Sequence, residues 1–398
     1  MIERYADTII RSCLRLAPGD TLFLTGQHAH RELLVALADA GYRAGAALVD
    51  LDYQDPLLRA ARVRHAADEH LGPMTDWHKR RLRARLKATS GMVSVLGEGE
   101  PNALDGLPPE RIAADSQRAI AQVPWYLHGI MAERRRWVGA AWPTDAWAAK
   151  AYPELPPERG RGQLLADILS FSRLGPEDPE AAWERHVEAI MARAETLTEL
   201  GLERLELRGP GTELTVGLVP GTRWLGGRDL TAHGQLIAPN IPTEENYTSP
   251  DARSTEGVFR CSRPLAFQGR LIDGIAGEFR GGSLVRLQAA NEADRDFLAA
   301  FLETDEGARR LGEVALVDAT SRIGRAQRVY ANTLLDENAA AHVAFGFGFE
   351  SARERGRRGV NRSNLHLDVM VGTDDFEATG IATGGRRVPL IADGLWQL

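Results

Sequence analysis

Near the C-terminus the chain reads Leu365-His366-Leu367-Asp368-Val369-Met370. In a strand, side chains two apart leave the same face, so His366 and Asp368 would project together from an element otherwise built for burial. An imidazole and a carboxylate aimed at one point suit a first-row divalent cation; a buried ion pair is the plainer alternative. Three other segments of the same half add acids or histidine. Pro239-Asn240-Ile241-Pro242-Thr243-Glu244-Glu245-Asn246 sets paired acids at the tip of a loop shaped by Pro and Asn, which is either a solvated turn or a source of ligands. In Leu311-Gly312-Glu313 an acid precedes the apolar run Val314 to Val317, just after a glycine that reads as a helix end. In Asn332 to His342, Asp336 reads as a cap, and a helix expected over Glu337 to Phe345 puts Asn338 and His342 on one face. There the plain account of His342 is a core histidine satisfied by Asn338. Glu337, five residues before His342, would lie about 140° around that helix. Together the segments offer three or more carboxylates and two imidazoles, the inventory that two adjacent hydrolytic cations need.

The elements that must position these groups follow from the rest of the chain. It has 398 residues, 43% hydrophobic and 26% charged, enough for two ordinary domains. A net charge of -7 argues against a nucleic-acid or anionic-membrane partner. The basic runs Lys79-Arg80-Arg81, Arg134-Arg135-Arg136 and Arg353 to Arg358 carry no interleaved aromatics and read as solvated faces. Two distant cysteines, Cys13 and Cys261, give no disulfide framework, and Cys13 sits on the apolar face of an N-terminal helix as a buried free thiol. There is no leader-like N-terminus and no run of about 18 apolar residues, so a cytoplasmic protein is expected.

The first part alternates helix and strand. Strands are expected at Thr21 to Leu24, Ala46 to Leu51, Met92 to Leu96 and Trp137 to Trp142, with a helix from Arg31 to Ala44 closed by Gly45. This predicts α/β architecture, a mostly parallel sheet with helices on it, over residues 1–185. No phosphate loop follows any strand, so no nucleotide is expected, and His28, His30 and His78 read as surface or capping residues. A helical stretch from Thr144 to about Leu200, with turns at Pro153 to Pro157 and Pro176 to Pro179, is the candidate connection. Residues 186–398 read as a mixed, β-rich α+β domain with short strands at Leu202 to Leu207, Glu213 to Leu218, Gly257 to Cys261, Leu271 to Phe279 and Ser283 to Leu287. Helices are expected at Glu292 to Leu302 and Thr304 to Gly312.

Ordered motifs in this chain resemble one family. They are Asn240-Ile241-Pro242-Thr243-Glu244-Glu245, Thr248-Ser249-Pro250-Asp251, Thr304-Asp305-Glu306-Gly307-Ala308 with Leu311-Gly312-Glu313, Asn332-Thr333-Leu334 with Asp336-Glu337-Asn338 and His342, and Asn361-Arg362-Ser363 with His366-Leu367-Asp368. Tyr42 to Ala46 and Pro143 to Ala148 extend the likeness to the N-terminal half. Together they are similar to the thermophilic aminopeptidases, the aminopeptidase T and aminopeptidase S family of two-metal metallopeptidases. The resemblance implies a cytoplasmic homodimer that removes N-terminal residues from peptides or small amides. It also implies two divalent ions (Zn, Co or Mn) on Glu245, Glu313, His342, His366 and Asp368, with Glu245 or Glu313 bridging. Two departures stand out. Phe349 occupies the position, seven beyond His342, where the family has Tyr, and Asn246-Tyr247 replaces an apolar pair, which would make the pocket wall more polar. Tyr247 is therefore the candidate to supply the missing phenol, and a specialised amide hydrolase on the same scaffold is an alternative.

The expected chemistry is metal-assisted amide hydrolysis with Glu313 or Glu337 as general base, and with the substrate amine read by an acid such as Glu244 or by a metal. The rival is a ring-cleaving dioxygenase of dihydroxypyridines, a member of the same superfamily, with one ferrous ion on His342, His366 and Asp368. A metal-binding protein without catalysis is the third reading.

Overall fold

The computed structural model describes residues 1–131, 135–175, 178–352 and 359–398. The run Arg353 to Arg358, Arg134 and the Pro176-Glu177 turn lie outside the described residues. The chain divides into two units, one of residues 1–188 and 227–243, the other of residues 189–226 and 244–398. The return of 227–243 to the first unit, against an expected single cut near 185, follows from the two-residue strand Asn240–Ile241. It pairs in parallel with Arg136–Ala141 and so completes the first unit's sheet.

The first unit is built on that sheet. Its strands run in the order Leu48–Tyr53, Thr21–Gly26, Ser90–Leu96, Arg136–Ala141, Asn240–Ile241, all parallel. Parallel neighbours require crossover connections, and helices such as Arg31–Arg43 supply them. That helix buries Leu33, Leu34, Leu37 and Ala40, and at Gly41 a Cβ would sit 2.6 Å from Leu22 Cδ2, so the helix can lie this close to the sheet only without a side chain there. Cys13 is a buried free thiol, as its place on the apolar face of the N-terminal helix implied. His30 is a capping residue, one of the two roles expected of it, and not a surface one. It is buried, its Nδ1 accepts from the Gln27 N–H at 3.1 Å and its Nε2 donates to Gly97 O at 2.7 Å, tying two strand ends together.

Among the described residues, the second unit contains, besides a two-stranded sheet of Leu265–Phe267 with Arg270–Ile272, two large antiparallel sheets. The larger runs Ser283–Gln288, Ala276–Arg280, Pro250–Arg260, Thr212–Leu218, Leu202–Gly209, Glu377–Ala382, Arg387–Ala392, Leu395–Trp396. The smaller runs Asn246–Thr248, Leu311–Leu316, His342–Gly346, His366–Met370. The small sheet is two-faced. Thr248, Val314, Val343 and Val369 stand opposite one another along one row, and Phe345 on the same face meets Phe259 and Phe279 of the larger sheet at 5.8 and 5.5 Å between ring centroids. Burial of this apolar face fixes register, since a one-residue slip would turn it outward.

Two expected helices are absent. Residues 304–310 form turns in which Asp305 accepts the Gly307 N–H at 3.1 Å, and Gly312 and Glu313 already lie in a strand. A Cβ on Gly312 would fall 2.1 Å from Phe347 O, so that glycine serves a close strand approach rather than a helix end. The helix expected over Glu337 to Phe345 stops at Glu337, and His342 opens a strand. The alanines there favour helix, but pairing on both sides with Leu311–Leu316 and His366–Met370 overrides that weak preference.

Candidate metal centre

The other face of the small sheet carries the chemistry, and the register explains why. Glu313, Ala344 and Asp368 stand opposite one another in one row, and Tyr247, Ala315 and His342 in the next. His366 lies two residues before Asp368, opposite Gly346. All five side chains with acid, imidazole or phenol groups therefore leave one face. Ala315, Ala344 and Gly346 lie between them and leave the space above the sheet open. The Glu244-Glu245 loop enters this face directly before Asn246–Thr248.

Among the described residues, two donor groups form here. One is Glu245, Glu313 and His342; the other is Glu313, His366 and Asp368. One ligand atom from each residue lies within 4.8 Å of the others in its group. Glu313 belongs to both. His342 Nε2 is 3.2 Å from Glu245 Oε2, and His366 Nε2 is 3.3 Å from Glu313 Oε2 and 3.2 Å from Asp368 Oδ1. Each ring turns its other nitrogen to a backbone carbonyl: His342 Nδ1 donates to Ala340 O and His366 Nδ1 to Phe347 O, both at 3.2 Å. That second hydrogen bond fixes tautomer and ring plane, the usual arrangement for a metal-bound histidine. Two imidazoles and three carboxylates of this kind fit two borderline divalent cations sharing a carboxylate.

The electrostatics describe a site rich in negative charge. Burial raises the Glu313 carboxyl to about 6 despite the opposing His366. Burial, then the charges of Asp368 and Glu245, push Glu337 well above the usual carboxylate range. Burial would lower His342, but the Glu245 hydrogen bond and charge outweigh it and hold the ring at about 10. Burial would likewise lower His366, and Asp368 with Glu313 raises it well above its ordinary value. Burial works to raise Asp368, and His366 keeps it below its ordinary value. Protons thus balance the clustered carboxylates, and binding of cations would displace them.

Glu337 ends the short helix Thr333–Glu337, within electrostatic reach of Asp368, Glu245, His342 and Glu313 but outside both donor groups. Asn338 does not serve His342. Its Oδ1 accepts the Glu244 N–H at 2.7 Å, and its Nδ2 donates to Leu334 O at 2.9 Å. Asn246 does not line the site either: it alternates to the far face, where its Nδ2 donates to Ile190 O at 2.9 Å. Tyr247 does face it, 5.0 Å from the Phe349 ring, which in turn stands edge-on to His366 at 5.7 Å. The polar run before His366 mainly clamps the fold. Asn361 Nδ2 donates to Gly307 O and Gly346 O, and Ser363 Oγ and the Asn364 N–H donate to Asp305. Asn361 and Arg362 also line a cavity of about 670 Å³ with Asp251, Arg253 and Glu306. The small residues of the floor were not anticipated; the signal that marks them is Ala344 and Gly346, two apart in one strand, with Ala315 two beyond Glu313 in the next.

Comparison with known proteins identifies the family. The profile of the thermophilic metalloproteases (M29) matches residues 1–396. The chain belongs to the M29 family of metalloproteases. Its relatives include aminopeptidase T of Thermus aquaticus, 37% identical over 99% of this chain and 98% of that one. Aminopeptidase 2 of Geobacillus stearothermophilus is 32% identical, again over 99% of this chain, and 97% of its own. The solved structure of wild-type AmpT from Thermus thermophilus is 35% identical, covers 100% of this chain and 99% of its own, and superposes with a TM-score of 0.89. A 2,5-dihydroxypyridine dioxygenase from Pseudomonas putida KT2440 covers 97% of this chain and 96% of its own, at TM-score 0.52 and 14% identity, a likeness of fold alone. An M29 chain is a hydrolase, and the expected metallopeptidase reading stands over the dioxygenase. Among the described residues, no helix is long and apolar enough to cross a membrane.

Proposed function

We propose that this chain is a two-metal aminopeptidase that hydrolyses the N-terminal amide of peptides or small aminoacyl amides. The observation that carries the reading is the membership of Glu313 in both donor groups. Glu245 and His342 would complete one cation site, His366 and Asp368 the other, with Glu313 as the bridge and Zn, Co or Mn as the ions. When bound, such ions lower the pKa of a water and polarise a carbonyl.

The remaining work falls to the chain's own side chains. Glu337, close to the ligands but not one of them, takes a proton from the attacking water and returns it to the leaving nitrogen. Glu313, the other acid considered for that role, is committed to the bridge. The Tyr247 phenol donates a hydrogen bond to the carbonyl oxygen as it gains negative charge, the task that Phe349 cannot perform. Glu244 reads the substrate's ammonium group. A cytoplasmic homodimer, implied by the family resemblance, belongs to the same proposal; sedimentation in solution tests the dimer.

The test is dialysis against a chelator followed by restoration with zinc, cobalt or manganese, using leucine-p-nitroanilide and its N-acetylated analogue. Activity should vanish with the metal and return with it, and acetylation should abolish turnover. Full turnover in excess chelator would sink the proposal.

A further inference from the structure

We infer that Asn338 is a positioning residue, holding the ligand loop of Glu245 and the side chain of Glu337 through one buried amide. The inference rests on the metal reading above and extends it to a residue that touches neither cation nor substrate. Asn338 is fully buried. Its Oδ1 accepts the N–H of Glu244, also buried, at 2.7 Å. Its Nδ2 donates to Leu334 O at 2.9 Å, and lies 3.5 Å from Glu337 Oε1. All of the amide's polar atoms are thus engaged, and the two that face the site touch different functional segments. The acceptor fixes the backbone one residue before Glu245. The donor faces the carboxylate proposed as base and, through Leu334 O, anchors to the helix that carries it.

No other side-chain type of this size offers one acceptor and two donors in this geometry. An aspartate keeps the acceptor but loses the donors. An alanine loses both and removes the acceptor of the Glu244 N–H. A residue that orients a metal ligand typically governs metal affinity by about 10–100-fold. Here the effect should fall on one site only, since Glu313, His366 and Asp368 stand on strands that Asn338 does not hold.

The experiment compares Asn338→Ala and Asn338→Asp with the unsubstituted protein. The readouts are hydrogen exchange over residues 241–248 in chelator-treated protein, stepwise zinc titration, and kcat and KM. For Asn338→Ala we expect faster exchange at the Glu244 amide. One zinc step should weaken by about 10–100-fold and the other move by no more than about threefold. For Asn338→Asp we expect near-normal exchange protection with kcat still reduced and KM little changed, because the donor facing Glu337 is gone. If Asn338→Ala fails to fold, the isosteric aspartate carries the test through its split between exchange and kcat. Exchange and both zinc steps unchanged in Asn338→Ala, or kcat unchanged in Asn338→Asp, would overturn the assignment. Failure of the metal reading is separately recognisable, since the unsubstituted protein would then bind no zinc, and the assignment would fall with it.

Discussion

Tyr247 and Phe349 meet at 5.0 Å beside His366, and only one of them carries a hydroxyl. If the phenol of Tyr247 stabilises the developing oxyanion, Tyr247→Phe should lower kcat by about 10²–10³ and leave KM nearly unchanged. Steady-state kinetics on leucine-p-nitroanilide decides this, and a fall in kcat of less than about threefold would assign Tyr247 to packing. At this scale the sequence was informative. His366 and Asp368 stood out because charged groups in an apolar run are costly to bury, whereas the full set of five, Glu245 in its polar loop included, was an implication of the family resemblance. The role of Asn338 was not legible, because an amide's partners depend on which backbone passes it. Asn246 misled for a related reason: strand alternation turns it away from the site, and the start of a three-residue strand leaves too short a pattern to reveal the phase.

The element that organises the site is the small antiparallel sheet, with hydrophobic side chains on one face and ligands on the other. Its ligand face depends on small side chains as much as on acids. Ala344 stands directly between Glu313 and Asp368. Ala344→Leu should therefore block cation uptake while the sheet still forms, at an overpacking cost of about 1–3 kcal/mol. Metal content after reconstitution, measured beside circular dichroism, checks both halves; normal metal content in the leucine variant would show that the floor is wider than described. The strand from His342 was the largest misreading at this level. Ala339 to Ala341 favour helix, and nothing local opposes that weak preference. The opposing forces are the ladders to Leu311–Leu316 and His366–Met370, whose partners lie tens of residues away in sequence. The inner strands Thr21–Gly26, Ser90–Leu96 and Arg136–Ala141 of the parallel sheet were legible because they are mostly buried and read as apolar runs.

At the scale of the whole molecule, each unit has its own determinants of stability. In the first, Asp115 is buried and receives Arg62 Nε at 2.7 Å, Arg59 Nε at 3.1 Å and the Gly72 N–H at 2.8 Å. Burial works to raise its pKa, and these donors together hold it below the ordinary 3.8. A carboxyl depressed in the folded state contributes its stability above the unfolded value and loses it as pH falls through the folded one. Asp115→Asn should thus cost about 2 kcal/mol at pH 7, the two arginines being partly solvated, and the gap should close below about pH 4. Thermal melts of both proteins at pH 7 and pH 3 measure it; an equal gap at both would exclude the ionised carboxylate as the cause. The two-unit plan was visible in the change from alternating helix and strand to short strands alone. The return of residues 227–243 to the first unit was hidden, because a two-residue strand has no periodicity to read.

The order of the small sheet has one last consequence. Its four strands come from chain positions 246 to 370, and donors from three of them, with Glu245 beside the fourth, make up both groups. No stretch of nascent chain short of His366 can assemble the second group. Assembly of that group therefore requires the chain through Asp368 and the register of His342–Gly346 against both of its neighbours.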